Sequence, residues 1–247
     1  MIKVTVWNEF VHEKTNPKCK ELYPNGIHGA IADFLSREED ITVRTATLDD
    51  PECGLTDEVL ADTDVLIWWG HAAHAKVPDE IAARVKNAVQ NGMGFIPLHS
   101  SHASKPFVML MGTAGNLSWR ESKDFERLWV LTHAHPITAH IPDYIELEHE
   151  ETYAEPFGIP DPDELLMIGW FSGGEVFRSA CTFKRNNGRI FYFQPGHETF
   201  PTYYNEHVQK VIINAVRWAK PLCRTEKIEF PCIKPTNFLS EILNKDE

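Results

Sequence analysis

Two histidine pairs with the same spacing, His71 with His74 and His99 with His102, each follow directly on an apolar run. Val65-Leu66-Ile67-Trp68-Trp69 precedes the first pair and Gly94-Phe95-Ile96-Pro97-Leu98 the second. Imidazole is the common acid or base near neutral pH and the commonest metal ligand. A separation of three can bring two rings together on a turn or the first turn of a helix. Gln194-Pro195-Gly196-His197-Glu198 repeats the arrangement after Ile190-Phe191-Tyr192-Phe193, with Glu198 beside the imidazole to orient it or bind a ligand. Glu148-His149-Glu150-Glu151-Thr152-Tyr153 follows another strand candidate and supplies carboxylates for acid, base or ligand roles. Asn8 and Glu9 stand just after the first strand and His28 in the first turn of the next helix, so all three can face the same crevice.

Two chemistries suit these residues. One is proton transfer by histidine and carboxylate, and the other is a metal site, with zinc as the candidate cofactor and His74, His99, His102 and His197 as its expected ligands. His-Glu-x-x-His does not occur, and Ser100 lacks the small flanks of Gly-x-Ser-x-Gly, which disfavours a serine hydrolase. His133-Ala134-His135-Pro136 reads as a turn, because proline follows the second histidine.

The elements that must position these residues alternate through the first hundred positions. Strands are expected at Lys3 to Trp7, Ile41 to Thr47, Asp64 to Trp69 and Gly94 to Leu98. Between them lie a helix capped by Asn25 with Ile27, Ala30, Ile31, Phe34 and Leu35 on one face, and one from Pro78 to Asn91-Gly92 burying Ile81, Val85 and Ala88. Asn8 to Asn25 reads as a long polar loop. This is an α/β pattern, a parallel sheet with helices on both faces, whose ligands bind beyond the carboxyl ends of the strands. The second half offers strands near Leu128 to Thr132, Tyr144 to Leu147, Leu165 to Phe171, Val176 to Phe183 and Arg189 to Gln194, joined by turns. Asn186-Asn187-Gly188 is a hairpin signal between the last two. Antiparallel strands added at one edge, giving a mixed sheet, accommodate this. A helix from Asn205 to Ala219 closes a domain of residues 1–220, and 221–247 is expected to be a tail packed on that domain or on a neighbouring subunit.

The 247 residues, 43% apolar and 24% charged, suit a single large globular domain, and no apolar stretch approaches the roughly 20 residues needed to span a bilayer. A net charge of −12 disfavours nucleic acid as a partner. The five cysteines, widely spaced and without a Cys-x-x-Cys pair, are expected to be reduced, and the start of the chain lacks the pattern of a signal peptide. A cytoplasmic protein without membrane partners, and by prior a homodimer or larger homo-oligomer, is the expectation.

Gly94 to Ser100, then Glu151-x-Tyr153, then Gly188-Arg189-Ile190-Phe191-Tyr192-Phe193-x-x-Gly196-His197, form an ordered set that resembles the trehalose-utilisation (ThuA-like) family over most of Met1 to Lys220. The resemblance implies a flavodoxin-like, three-layer fold of the class I glutamine amidotransferase type and a role in the catabolism of trehalose and related sugars. Those amidotransferases carry a cysteine at the elbow whose place is taken here by His99 or Ser100, while His197 resembles their histidine. Imidazole cannot form the thioester that glutamine hydrolysis needs, so glutaminase activity is not expected. The expected function is sugar catabolism, by an enzyme acting on a disaccharide or keto-sugar. Its catalytic residues would be His99, His197 and Glu151, with Glu9, His28, Ser100 and Tyr153 binding the ligand and no nucleotide cofactor. Trp7, Trp68, Trp69 and Tyr153 are candidate sugar platforms. The rival readings are a non-catalytic sugar-binding or regulatory protein and a zinc-dependent hydrolase.

Overall fold

The computed structural model describes residues 1–226 together with Ile228 and Leu243. Along the chain run β1 (Ile2–Asn8), α1 (His12–Thr15), α2 (Pro17–Leu22), α3 (Gly26–Leu35), β2 (Ile41–Thr47), α4 (Asp57–Ala61), β3 (Val65–Trp69), α5 (Asp79–Gln90) and β4 (Gly94–Leu98). They continue with α6 (Lys105–Met111), β5 (Ser118–Val130), β6 (Tyr144–Ala154), β7 (Glu164–Phe171), β8 (Val176–Arg185), β9 (Gly188–Phe193) and α7 (Glu206–Ala219).

One nine-stranded sheet has the order β2-β1-β3-β4-β9-β8-β7-β5-β6. The first five positions are parallel, the order of a flavodoxin-like sheet, and the rest continue antiparallel from β9. Every residue of β3 and β4 is buried, as strands covered on both faces require. On one face α3 and α7 bury Ile27, Ile31, Phe34, Val208, Val211 and Ile212; on the other α5 and α6 bury Ile81, Val85, Val89 and Phe107. Each such side chain contributes about 1.5–3 kcal/mol. The three-layer α/β architecture expected from the sequence is the one observed. The two-residue turn Asn186-Asn187 joins β8 to β9, and Asn205 caps α7 by accepting from the His207 and Val208 amides.

The differences from expectation are local. The supposed loop from Asn8 to Asn25 contains α1 and α2, and Asn25 makes no side-chain cap to α3. β5 begins ten residues before Leu128, at Ser118, and irregularities around Asp124 bend the β5–β6 ribbon. β6 runs on to Ala154, so Glu148 to Tyr153 lie within a strand rather than after one. Residues just after α7 pack back on the domain: Thr225 N–H donates to Asn91 O (3.0 Å) and the Arg224 guanidinium to Asp64 (3.0 Å). Most of the expected tail lies outside the described residues. No described helix is long and apolar enough to cross a membrane.

Candidate functional site

The carboxyl ends of β1, β3, β4 and β9 converge where the crossover connections leave the sheet. After β3, the His71, Ala72 and Ala73 amides all donate to the Glu9 carboxylate at 2.8–2.9 Å, so Glu9 shapes the loop that carries His71. After β4, His99 adopts φ +52°, the left-handed conformation of a strained elbow. Its Nδ1 donates to Gln194 O (3.0 Å), its carbonyl accepts from Tyr192 Oη (3.0 Å), and its ring stacks on Tyr153 (5.2 Å). After β9, the buried Glu150 carboxylate accepts from the Gly196 (3.0 Å) and His197 (3.1 Å) amides and from Thr202 Oγ1 (2.8 Å), fixing the turn that presents His197 and Glu198.

The three imidazoles of His71, His99 and His197 meet with ring centroids 5.5–5.6 Å apart. Glu198 lies against them, its Oε2 3.1 Å from His71 Nδ1 and 3.7 Å from His197 Nε2. His12, from α1, stacks on His71 (5.0 Å) and places Nδ1 3.2 Å from Glu198 Oε1. Glu151 Oε2 stands 3.1 Å from His99 Nε2. Burial opposes charge on His99, but Glu151, with Glu150 and Glu198 farther off, outweighs it and raises the imidazole's pKa. Glu151 is correspondingly held below its ordinary range, against its own burial, by His99. Burial and then the charge of His99 lower His197 to about 4. Glu198 falls to about 2, because His71, His197 and His12 outweigh its desolvation.

A cavity of about 330 Å³ opens beside this cluster, lined by His71, His74, Ser100, His102, Glu151 and Tyr153. Trp119 of β5, 64% exposed, stands at its rim. Glu121, two residues on, brings a carboxylate within 4.8 Å of donor atoms of Glu151 and His197. A larger cleft of about 490 Å³ lies beside α4 and α5, but its Arg84 and Arg224 are already paired with Asp57 and Asp64.

A family model described as trehalose utilisation, ThuA, matches residues 3–219. The chain belongs to the ThuA family. A ThuA-like protein from Parabacteroides merdae is similar in structure at TM-score 0.64 and 16% identity, covering 92% of each chain. PurLQS from Thermotoga maritima is similar at TM-score 0.54 and 14% identity, covering 88% of this chain and 98% of the other. A cytoplasmic protein from Salmonella typhimurium is similar at TM-score 0.57 and 10% identity, covering 89% and 100%. A glutamine amidotransferase from Thermotoga maritima matches at TM-score 0.53 and 8% identity, covering 88% and 97%. No curated protein matches the sequence.

Within this ThuA-family fold His99, not Ser100, is the elbow residue, and Ser100 Oγ instead bonds Tyr153 Oη (2.7 Å). His99, His197 and Glu151 are together, and Ser100 and Tyr153 line the cavity. Glu9 accepts from three backbone amides and is absent from the cavity wall, so it shapes the loop rather than lining the ligand space. His28 accepts from Asn8 Nδ2 (3.0 Å), packs edge-on to Phe10 and is absent from the cavity wall. Of the four expected metal ligands, His99 and His197 join the group of donors; His74 and His102 do not, and His71 and Glu198 take their places. The reason is the loop after each strand: His102 Nδ1 donates to Gly115 O (2.7 Å), which turns that ring to another wall. Trp7, Trp68 and Trp69 are buried core residues, the first two stacked at 3.8 Å, so they offer no sugar platform. His12, Glu121 and Trp119 carried no sequence signal, because their elements were not recognised. His135 caps its own turn, accepting from Ile137 N–H (3.1 Å).

Proposed function

We propose that the chain is a cytoplasmic enzyme of sugar catabolism that moves a proton on a disaccharide or keto-sugar, without glutaminase activity. The observation that carries this reading is the Glu151 carboxylate, 2% exposed, on the wall of a polar cavity with Oε2 turned to His99 and no aligned hydrogen-bond partner. A substrate hydroxyl, or a C–H beside a keto group, brought to that oxygen can give up its proton to Glu151. His99 faces the carboxylate from the elbow and steadies its charge. His74 and His102, kept neutral mainly by burial, line the same cavity as hydrogen-bonding partners for hydroxyl groups. The volume is at the small end for ligand pockets, enough for one sugar ring with a neighbour reaching the rim.

Membership in a family named for trehalose utilisation supports the substrate class. The described name of the Salmonella neighbour supports the compartment. Against glutamine hydrolysis stands the imidazole at the elbow. Cys19, close enough to feel the Glu198 charge, is buried with its thiol pushed up to about 11, mainly by desolvation.

Trehalose, other disaccharides and their keto derivatives, incubated with the protein and followed by NMR, test the reading. Turnover of at least one is expected, falling roughly 10²–10⁴-fold in Glu151→Gln at unchanged melting temperature. Wild-type turnover in that variant would remove Glu151 from the mechanism. Binding of sugars without turnover anywhere in the panel would establish the non-catalytic reading instead.

A further inference from the structure

We propose that His71, His99, His197 and Glu198 together hold one divalent transition-metal ion, a site that deepens the reading above. One donor atom from each of the four lies within 4.8 Å of the others. They come from three separate strand ends, so no local turn explains their meeting. His71 Nδ1, His99 Nε2, His197 Nε2 and Glu198 Oε2 are all buried atoms without an aligned hydrogen bond. Three of the residues are nearly inaccessible, at 0% for His99, 3% for His197 and 4% for Glu198. An unsatisfied buried polar atom costs about 1–3 kcal/mol, and gathering several at one point is a persistent cost unless a single ligand satisfies them.

The tautomer of His99 fits a cation. The Gln194 carbonyl can only accept, so the proton of a neutral His99 is on Nδ1 and Nε2 presents its lone pair to the cluster. His197 Nδ1 accepts from the Thr199 amide (3.3 Å), which places a neutral ring's proton on Nε2, so that ring changes tautomer when Nε2 binds an ion, with Thr199 Oγ1 (2.9 Å) at hand to accept the Nδ1 proton. His99 Nε2 faces a carboxylate oxygen of Glu151 at 3.1 Å, a pair that holds either a proton or a cation between or beside its members. The buried carboxylates of Glu151 and Glu198 border the cluster, and a divalent ion among them would offset charge that is otherwise held out of water.

Three imidazole nitrogens and one carboxylate oxygen select zinc, or a neighbouring first-row ion, over magnesium and calcium, which prefer all-oxygen sites. With metal bonds near 2.0–2.1 Å, tetrahedral ligand atoms stand about 3.4 Å apart, so the side chains draw inward on binding. The supports for that movement are in place around them. Gln194 O holds His99, Glu150 holds the His197 amide, and His12 holds the second oxygen of Glu198. A bound ion would supply polarisation of a substrate oxygen, while Glu151 remains the proton acceptor beside it.

The test reads metal rather than turnover, so it can fail while the enzymatic reading stands, and the reverse. Protein produced without a histidine tag is analysed for metals by mass spectrometry, then stripped with chelator and titrated calorimetrically with zinc, manganese and magnesium chlorides. About one equivalent of a transition metal per chain is expected, with zinc or manganese rebinding and magnesium giving no heat. Glu198→Ala and His197→Ala should lose that equivalent, as should His71→Ala, whose partly exposed side chain makes it the variant safest for folding. His133→Ala, at an exposed and remote histidine, should retain it. His12→Ala should weaken binding roughly 10–100-fold. A metal-free wild type that takes up none of the ions would overturn the proposal. So would full binding in His71→Ala or His197→Ala.

Discussion

His99 holds a φ of +52°, which a residue with a Cβ adopts at a cost of about 1–2 kcal/mol. The bond to Gln194 O, the one received from Tyr192 Oη and the stack on Tyr153 offset that cost and fix the direction of Nε2. Truncation separates the two effects. His99→Gly should be more stable than His99→Ala by about 1 kcal/mol in denaturant melts, because glycine alone is unstrained there. Equal stability would mean that the elbow relaxes when the imidazole is gone. The place of His99 and His197 at strand ends was legible because each follows a long apolar run, but which neighbour shares their space was not. His71 and His74 are indistinguishable by spacing, and only the three amides pinned by Glu9 decide that His71 turns inward. Glu150 and Glu151 show the same limit from another cause. Adjacent strand residues face opposite sides, and β6 alternates buried and exposed as far as Glu148 before burying four residues in succession from Glu150 to Tyr153. Both glutamates are therefore inside, one serving the β9 turn and the other facing His99.

At the scale of elements, the site depends on short turns that a neighbouring strand holds in place. The turn after β9 is the clearest case. Gly196 has φ +134°, and a Cβ there would meet Tyr203 Oη at 2.0 Å, so the chain passes this point only as glycine. Glu150 then secures the next amides from β6, an element distant in sequence. Glu150→Ala should lower unfolding free energy by about 2–4 kcal/mol, since the buried amides of Glu151, Gly196 and His197 and the Thr202 hydroxyl lose their acceptor together. A loss well under 1 kcal/mol in urea titration would show that the turn holds itself. The regular elements around these turns were readable from periodicity, as with α7 and its Val208, Val211, Ile212 and Val216 stripe. The four residues of α1 and six of α2 are too short to display a period, which hid His12. The charged run Arg120 to Glu126 concealed the first half of β5, and with it Trp119 and Glu121.

For the molecule as a whole, the sheet shared with glutamine amidotransferases sets only where the crossover turns gather; the residues on those turns decide the chemistry. Here those residues come from the ends of β3, β4 and β9, so an ion bound by His71, His99, His197 and Glu198 would tie together three connections of the parallel core. A ligand that binds only the folded chain stabilises it by RT ln(1 + [L]/Kd), about 2.7 kcal/mol at a free concentration of 100 Kd. In a domain of this size that corresponds to roughly 5–10 °C in melting temperature. Stripping the protein with chelator should lower its melting temperature by that amount in a single transition, since the tied strands are central and cannot open separately from the core. Added zinc should restore it, and the size of the recovery should grow with the logarithm of free zinc. The Glu198→Ala chain should melt at one temperature with or without zinc. A wild-type melting temperature indifferent to chelator and zinc would show that the three strand ends are joined by side-chain contacts alone.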